Sequence, residues 1–497
     1  MDERNLKVLN DDYVKFIRFG QWKIEKTRMG VLSFITNNKY LDGQVYYRMR
    51  ENLRKTFDDI YIVNLHGDLR KGEKGNPFDI TVGVAICFLI KREQTSNENA
   101  NVYYFDLPQN DRAEKYKLLD EGFNFDKFKR LSETKKHYFI PIESEFLKKF
   151  EEMLVISDFF IKKPSTGIMM GKEHLVSDVD NQNLIENLDL FFNQQFEELE
   201  SYKINVNNTK TWKREIVLEN TNLEDAVNAI QKIQYKGFDY KYLAYDRFIV
   251  EGHRIGYIDQ ISKINPAITV TKKSRKPIFS TASLAYMPIE KCYMSTTDSA
   301  YAFLLKYNGK YNLNTSLLSY KVEPEQLFYY IFGILCSEEY RKKYNELLLK
   351  DYPHIPLPNE ESYFNEMSLL GKKISRAFKM DLEISEEFKL SKNDSQSWIV
   401  QEPYFVSYEK RIYLNKEIDS PYIEGITSDI WDYSIGQIKQ IEQFLKARTY
   451  SEKKIIKTIC RGLNQEELNS LLKLCTSIKQ ILKISKEIDK VYIQIDP

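Results

Sequence analysis

The sequence predicts an α/β segment over residues 1–95, followed by a larger α+β region that closes with C-terminal helices. Two observations predict the first segment: short apolar runs typical of buried strands, and amphipathic helical patterns between them. The chain has 497 residues, of which 42% are hydrophobic. A chain of this size buries two or three cores of ordinary domain size, so we expect a multidomain protein.

The first predicted elements alternate between helix and strand. Apolar side chains recur three and four residues apart from Asp12 to Lys26, which predicts an amphipathic helix that ends before Gly30. We expect strands at 31–36, 59–65 and 80–90, with a second helix at 45–56.

This order predicts half of a doubly wound, Rossmann-like sheet. Apolar strands separated by helices favour a largely parallel sheet covered on both faces, in which 59–65 and 80–90 form an antiparallel hairpin at the end. A complete domain would place three or four more strands before the first helix, and only the residues before Asp12 stand there. The remaining edge would be apolar and unpaired, so we expect a missing partner that covers it.

Composition narrows the class of protein. The 73 Lys and Arg balance 72 Asp and Glu, so local clusters must support any nucleic-acid contact. The five cysteines form no CxxC pair, which indicates a reduced, cytoplasmic compartment. No apolar run approaches the roughly 20 residues that span a bilayer, and we expect no membrane association. No metal cluster, carboxylate pair or activated nucleophile stands out, so we predict no catalytic residue and no metal ligand.

Several motifs in the first segment carry a resemblance to a known family. In chain order they are Asp11-Asp12-Tyr13-Val14-Lys15-Phe16-Ile17-Arg18, Phe34-Ile35-Thr36-Asn37, Leu65-His66-Gly67 and Phe78-Asp79-Ile80-Thr81-Val82-Gly83-Val84-Ala85-Ile86. Their order and spacing resemble the post-catalytic half of the adenine-specific N6 DNA methyltransferase in type ISP restriction-modification enzymes. Asp68 stands where the family usually has Asn.

The resemblance implies a reaction whose central parts precede this segment. The family flips the target adenine out of the duplex and holds it with an Asn-Pro-Pro-Tyr turn. That turn and a Gly-rich loop for S-adenosylmethionine are absent from this sequence. We therefore expect no cofactor site here and no activity from this chain alone, with S-adenosylmethionine needed by the complete enzyme.

Two residues of the first segment are interpreted individually. Phe78 is a candidate for stacking on the flipped base, and a buried strand Phe is the alternative. His66 is interpreted as a turn residue that shapes its loop through its backbone and one hydrogen bond.

The rest of the chain resembles the target-recognition part of the same enzymes. The matching stretches lie at 165–173, 235–249, 326–358 and 430–436. We predict a helical bridge at 96–160, the target-recognition domain at 161–395 and a closing strand-helix region at 396–497. Within them we expect helices near 143–160, 180–200, 223–232, 452–461 and 464–489.

Candidate DNA contacts are basic and hydroxyl side chains, which pair with phosphate oxygens and base edges. They are Thr166, Lys172, Arg247, Lys272, Lys273, Ser274, Arg275, Lys276 and His354. The alternatives are an ordinary strand turn at 165–173, a solvated turn at 271–276 and an architectural role for His354.

The preferred hypothesis is the C-terminal part of a split or truncated adenine-N6 site-specific DNA methyltransferase of a restriction-modification, or phage-defence, system. This part would recognise a target in double-stranded DNA, while an N-terminal methyltransferase polypeptide would supply cofactor binding and catalysis. One alternative is a stand-alone sequence-specific DNA-binding module without catalysis. The other is an inactive remnant of a restriction gene.

Overall fold

The computed structural model describes residues 10–69, 73–93, 99–107, 111–141, 144–275, 277–391, 398–417, 419–452 and 458–497. Its internal contacts divide the chain into two compact units. Unit 1 comprises 1–152, 274–278 and 344–351, and unit 2 comprises 153–273, 279–343 and 352–497. The described residues form sixteen α-helices and several small sheets, which confirms a mixed α and β chain. The predicted division of the chain at 1–95, 96–160, 161–395 and 396–497 stays a prediction.

Unit 1 is a sheet with helices. Its helices are α1 (Asp12–Thr27), α2 (Tyr47–Thr56), α3 (Arg112–Asp120) and α4 (Ser144–Glu152), and its strands are β1 (Gly30–Asn37), β2 (Asp59–His66), β3 (Val84–Lys91), β4 (Asn101–Asp106) and β5 (Lys129–Arg130). The predicted helix at 12–26 and the strands at 31–36 and 59–65 are confirmed. The strand predicted at 80–90 begins only at Val84, because the preceding residues form a loop.

The sheet of unit 1 has the order β1-β3-β2-β4-β5. β3 runs antiparallel to both β1 and β2, β4 runs parallel to β2, and β5 runs antiparallel to β4. The predicted pairing of 59–65 with 80–90 is confirmed, but the prediction of a largely parallel sheet is wrong for the described strands. The physical reason is the position of β3. The α2 crossover lets β1 and β2 run in the same direction, and β3 fills the space between them.

Alternate residues of β2 enter two separate cores, one on each face of the sheet. Ile60 and Ile62 pack in the core that includes Ile17 of α1 and Leu53 of α2. Val63 belongs to the core on the other face, which includes residues 107 and 128. β1 lies at the edge of the sheet, and this second core does not extend over it.

Unit 2 contains many short elements. Its strands are β6 (Leu154–Val155), β7 (Ser165–Thr166), β8 (Ser177–Asp178), β9 (Ile230–Tyr235), β10 (Asp239–Ala244), β11 (Ala267–Thr271), β12 (Ala282–Ala285), β13 (Ala300–Leu304), β14 (Lys306–Tyr307), β15 (Lys310–Tyr311), β16 (His354–Ile355), β17 (Lys389–Leu390), β18 (Tyr404–Val406), β19 (Arg411–Tyr413), β20 (Tyr422–Glu424), β21 (Ser434–Ile435) and β22 (Ile438–Lys439). Its helices are α5 (Glu173–Val176), α6 (Asn181–Phe192), α7 (Phe196–Ser201), α8 (Arg214–Asn220), α9 (Leu223–Asn228), α10 (Pro324–Cys336), α11 (Glu338–Lys343), α13 (Glu361–Phe378), α14 (Ser428–Asp432), α15 (Gln440–Lys446) and α16 (Gln465–Ile495), whereas α12 (Asn345–Leu348) falls in unit 1.

The strands of unit 2 form small, mainly antiparallel sheets. Their orders are β8-β10-β9, β12-β11-β13-β7, β17-β20-β19-β18 and the pairs β16-β6, β14-β15 and β21-β22. The long helices α10, α13 and α16 pack against one another. Their buried faces, rich in Leu, Ile and Phe, form the main helical core of the unit.

Several predicted helices differ from the observed elements. The helix predicted at 143–160 ends at Glu152, because residues 154–155 pair with β16. The one at 223–232 ends at Asn228, where the chain turns into β9, and the one at 180–200 is two helices, α6 and α7. Part of 452–461 lies outside the described residues, and 458–461 is not helical. α16 confirms the last predicted helix and extends it to Ile495.

None of the helices in the described part of the chain has the length and apolar character needed to cross a membrane.

Candidate nucleic-acid interface

The loop between β2 and β3 presents Phe78 to solvent. The Asn76 side chain holds this loop together, since its amide donates to the carbonyls of Gly67, Ile80 and Val82 at 2.8–3.1 Å. Its oxygen accepts a hydrogen bond from the Phe78 backbone N–H. The Phe78 side chain is 43% exposed, so the interpretation as a buried strand residue is wrong.

Helix α3 braces the same loop from outside. Tyr116 donates to the Pro77 carbonyl at 2.6 Å, and Arg112 pairs with Asp79 at 2.8 Å. The buried Lys115 ammonium donates to the carbonyls of Leu65 and Gly75 at 2.7 Å each. These contacts fix the exposed ring of Phe78 on a supported loop, which reduces the entropy lost when it stacks on a ligand.

A polar network around the buried His66 lies where β2 and β4 end. Because these strands are parallel, their carboxyl ends share one edge of the sheet, and there His66 Nε2 lies 2.6 Å from Asp106 Oδ1. His66 Nδ1 lies 3.4 Å from Glu73. Tyr104 donates to Asp106 at 2.7 Å and accepts from Asn64 at 2.9 Å. His66 thus contacts two carboxylates, and the interpretation that gave it a single hydrogen bond is too narrow.

The network favours a charged histidine. Burial opposes the charge of the imidazolium, but hydrogen bonds to Asp106 and Glu73 outweigh it and raise the pKa of His66 to about 9. Burial also opposes the charge of Asp106, yet contact with His66 and Tyr104 lowers the pKa of that carboxyl. At neutral pH the pair is ionic, and it ties the ends of β2 and β4 together.

The edge of the sheet at β1 exposes a run of apolar side chains. Val31 is 63% exposed and Ile35 is 56% exposed, and both lie on the same face of the strand. The neighbouring helix α1 exposes Phe16, Phe19 and Trp22 as well. Leu32 and Phe34 face the core that contains α1, so Val31 and Ile35 lie on the opposite face of β1. Exposed apolar patches of this kind are typical of interfaces.

Two predicted DNA contacts lie in or near β7. The Thr166 hydroxyl accepts a hydrogen bond from Arg254 Nε at 3.2 Å. Lys172 is buried, with its ammonium 5.3 Å from the centre of the Trp212 ring, and burial lowers its pKa. The Lys172 side chain therefore packs against protein in this conformation. Arg247 is exposed and lies over the ring of Phe248.

The basic run at 272–276 is divided between the two units. In unit 2, Lys273 is exposed and Lys272 lies 5.3 Å from the ring centre of Tyr352. In unit 1, Ser274 is buried and its backbone N–H donates to Leu349, whereas Arg275 is exposed. Lys276 lies outside the described residues.

His354 belongs to the short β16–β6 ladder, where it is paired with Val155. Its carbonyl accepts a hydrogen bond from Tyr340 at 2.7 Å. The backbone of His354 thus has an architectural role, and a DNA contact by its half-buried ring stays a prediction.

Most of unit 2 matches a known protein family. Residues 159–469 match the model of the type ISP C-terminal specificity domain. The chain belongs to the type ISP family. The matched range contains the whole four-stranded sheet β12-β11-β13-β7 and the helices α10 and α13, and it confirms the resemblance to type ISP enzymes.

Three solved structures, two of them of type ISP enzymes, have a similar fold. The ATP-dependent type ISP restriction-modification enzyme LlaBIII bound to DNA matches with a TM-score of 0.72 and 20% identity, over 98% of this chain and 34% of that one. A nuclease-deletion mutant of the type ISP enzyme LlaGI with a DNA substrate mimic gives 0.70 and 21%, over 98% and 41%. The DrdV–DNA complex gives 0.69 and 18%, over 98% and 53%. This type ISP chain spans about a third to a half of the length of these proteins. No curated protein matches it.

Two clusters of charged side chains in the type ISP chain were not predicted from the sequence. Asp106 and Glu73 lie 40 and 7 residues from their partner His66, and no local pattern connects them. The position of Asp106 at the end of an apolar strand was the available signal. The second cluster joins Asp239, Arg448 and Glu467, whose side chains are almost fully buried and meet only in the folded unit.

Proposed function

We propose that this chain provides DNA target recognition in a type ISP restriction-modification enzyme. The main support for this proposal is the match of residues 159–469 to the type ISP C-terminal specificity domain. The fold shared with type ISP enzymes solved in complex with DNA supports it. Binding of a labelled duplex by the full chain tests the proposal, and the absence of binding even at low salt would contradict it.

We further propose that unit 1 is the C-terminal half of a doubly wound methyltransferase sheet. The α2 crossover between β1 and β2 and the antiparallel β3 between them support this assignment. The exposed Val31 and Ile35 lie at the edge of the sheet, where further strands would extend it and further helices would cover it. The partner is an N-terminal methyltransferase segment or polypeptide, and the solved relatives are long enough to contain one.

In the complete enzyme, that partner supplies the S-adenosylmethionine loop and the Asn-Pro-Pro-Tyr turn, and the target is adenine N6. In unit 1, β1 leads into the 3₁₀ turn Asn38–Tyr40 with no Gly-rich loop, so its described residues do not fit the cofactor. No step of methyl transfer is assigned to this chain. Phe78 is the residue that we propose to stack on the flipped base, because its ring is exposed on a braced loop.

Calorimetric titration with S-adenosylmethionine separates this chain from a complete methyltransferase. We expect no heat of binding for the chain alone, and binding once the N-terminal partner is present. Tight binding by the isolated chain would contradict the assignment of the cofactor half to another segment.

A stand-alone DNA-binding module is the second candidate. It predicts duplex binding and no requirement for a partner. The exposed apolar edge of β1 and α1 weighs against it, since such an edge is costly for a protein that works alone.

A further inference from the structure

The sheet β12-β11-β13-β7 is built from sequence that lacks negative charge. Its four strands come from the stretches 159–172, 260–289 and 299–322, which contain eleven Lys and Arg and no Asp or Glu. The whole chain has 73 basic and 72 acidic residues, and an acidic residue flanks each stretch at both ends: Asp158, Glu173, Asp259, Glu290, Asp298 and Glu323. A neutral protein thus concentrates positive charge on one sheet and its loops.

One end of this sheet collects five lysines. The pairs Ser165↔Ala302 and Ala267↔Leu304 place the residues just before β7, just before β11 and just after β13 at the same end. These loops carry Lys162, Lys163, Lys263, Lys306 and Lys310, which we name the lysine end. Within the described ranges, none of the five forms an ion pair with a carboxylate. Their charges are available to an external anion.

The most prominent part of the lysine end is the β14–β15 hairpin. Asn308 and Gly309 turn the chain with φ of 49° and 77°, the left-handed values of a type I′ turn. Lys306 pairs with Tyr311 across the hairpin, and its ammonium lies 4.7 Å from the centre of that ring. The ammonium of Lys162 lies 5.2 Å from the ring centre of Tyr307. Each cation is thus held over an aromatic face and remains unneutralised.

Three amide side chains hold the hairpin in place. Gln260 donates to the Asn308 side chain at 3.1 Å and accepts from its backbone at 2.8 Å. Asn265 donates to the Lys306 carbonyl at 3.0 Å and accepts from its N–H at 2.8 Å. At the base, the buried Asn312 accepts from the Lys162 N–H at 2.7 Å. Strands of two residues are marginal alone, so these bonds preorganise the hairpin.

We propose that the lysine end is a contact site for the phosphate backbone of duplex DNA, with the β14–β15 hairpin as its central element. The inference rests on the proposed target-recognition function and assigns residues to it. Lysine ammonium groups neutralise phosphates as point charges, and a two-stranded ribbon has a width that the major groove admits. An acidic protein surface is the competing partner, and it predicts that the hairpin lysines are irrelevant to DNA binding.

The test uses the full chain and a fluorescently labelled duplex, with anisotropy measured over a range of KCl concentrations. We expect K306Q/K310Q to weaken binding about tenfold at low salt and to reduce the slope of log K against log [KCl] by about two, one for each lost phosphate contact. K306R/K310R keeps the charges and should bind as the wild type does. The matched control K483Q/K486Q removes the same charge from exposed positions on α16 and should leave the slope unchanged.

The outcomes separate the two proposals. If the wild type binds duplex and K306Q/K310Q binds equally well, the lysine end is not a DNA site, although target recognition stands. An equal loss in K306Q/K310Q and K483Q/K486Q would also overturn the inference, because it would reflect net charge alone. If the wild type binds no duplex at all, the proposed function fails and the site with it. Circular dichroism of each variant establishes that the fold is retained.

Discussion

Arg448 lies fully buried against Asp239 and donates a hydrogen bond of 2.8 Å to each oxygen of that carboxylate. A third bond, at 3.1 Å, reaches Glu467 at the start of α16. Burial alone would lower the pKa of the guanidinium, but the two carboxylates raise it. Arg448, two residues after the end of α15, therefore connects β10 to α16 through charges that compensate one another away from water.

Replacing Asp239 by Leu should destabilise unit 2 by about 3–5 kcal/mol, because it leaves a buried guanidinium with one carboxylate fewer. Urea unfolding followed by tryptophan fluorescence measures the change, since three of the four tryptophans lie in unit 2. Lys446→Ala is the matched control. It removes the exposed pair with Glu442 and should cost less than about 1 kcal/mol. Equal effects of the two substitutions would contradict the importance of the buried pair.

The His66 network predicts a loss of stability in alkaline solution. Folding raises the pKa of His66 from 6.5 to about 9, so the folded state binds the proton more tightly than the unfolded state. The stabilisation is complete below about pH 6.5 and disappears as the pH rises through 9. Asp106→Asn should lower the pKa of His66 by about one to two units.

The imidazole proton shifts of His66, followed by NMR against pH, measure this pKa directly. The variant His66→Gln assigns the signal among the five histidines. A midpoint near 6.5 in the wild-type chain would contradict the ionic network.

Phe78→Ala should leave stability nearly unchanged, because the ring is exposed, and should strongly reduce methylation by the enzyme reconstituted with its N-terminal partner. Loss of one aromatic stacking partner costs about 1–3 kcal/mol in nucleic-acid complexes, or roughly 5- to 150-fold. Phe78→Trp should retain activity. Ile80→Ala changes an equally exposed apolar residue of the same loop and serves as the control. Full activity of Phe78→Ala would refute base stacking.

Substituting Lys for Val31 and Ile35 should reduce self-association of the isolated chain and prevent assembly with the N-terminal partner. Both side chains are exposed at the edge of the sheet, so the free energy of unfolding should change by less than about 0.5 kcal/mol. The control L369K/I493K introduces the same charges at exposed apolar positions of α13 and α16. Sedimentation velocity with and without the partner measures both effects. Normal assembly of V31K/I35K would exclude this edge as the interface.

Local patterns predicted the elements well where one periodicity persists. The amphipathic spacings of α1 and α16 have a single explanation each, and the structure confirms both helices. The prediction of a largely parallel sheet was wrong, because the insertion of β3 between β1 and β2 depends on packing across the sheet. The helix predicted at 223–232 was too long, because its end also depends on pairing within a sheet. Residues 230–235 have helical spacing, but pairing with β10 makes them a strand.

In the candidate sites, too, local motifs identified single residues, whereas contacts between distant residues were not predicted. Phe78 was found because a motif marked it, whereas its exposure follows from bonds made by Asn76. His66 was noticed without Asp106, since the two are brought together only by the parallel pairing of β2 with β4. The lysine end was missed because its residues come from three stretches that are separate in sequence. The Asn308-Gly309 turn between two Lys-Tyr pairs was a signal that could have revealed its hairpin.

Target recognition by this chain can be tested by selection from a pool of duplexes with a randomised segment. The full chain is incubated with the pool at moderate salt, and bound duplexes are recovered, amplified and sequenced over several rounds. We expect enrichment of one defined sequence that contains adenine. Recovery of duplexes without any preferred sequence, or of no duplex at all, would contradict it.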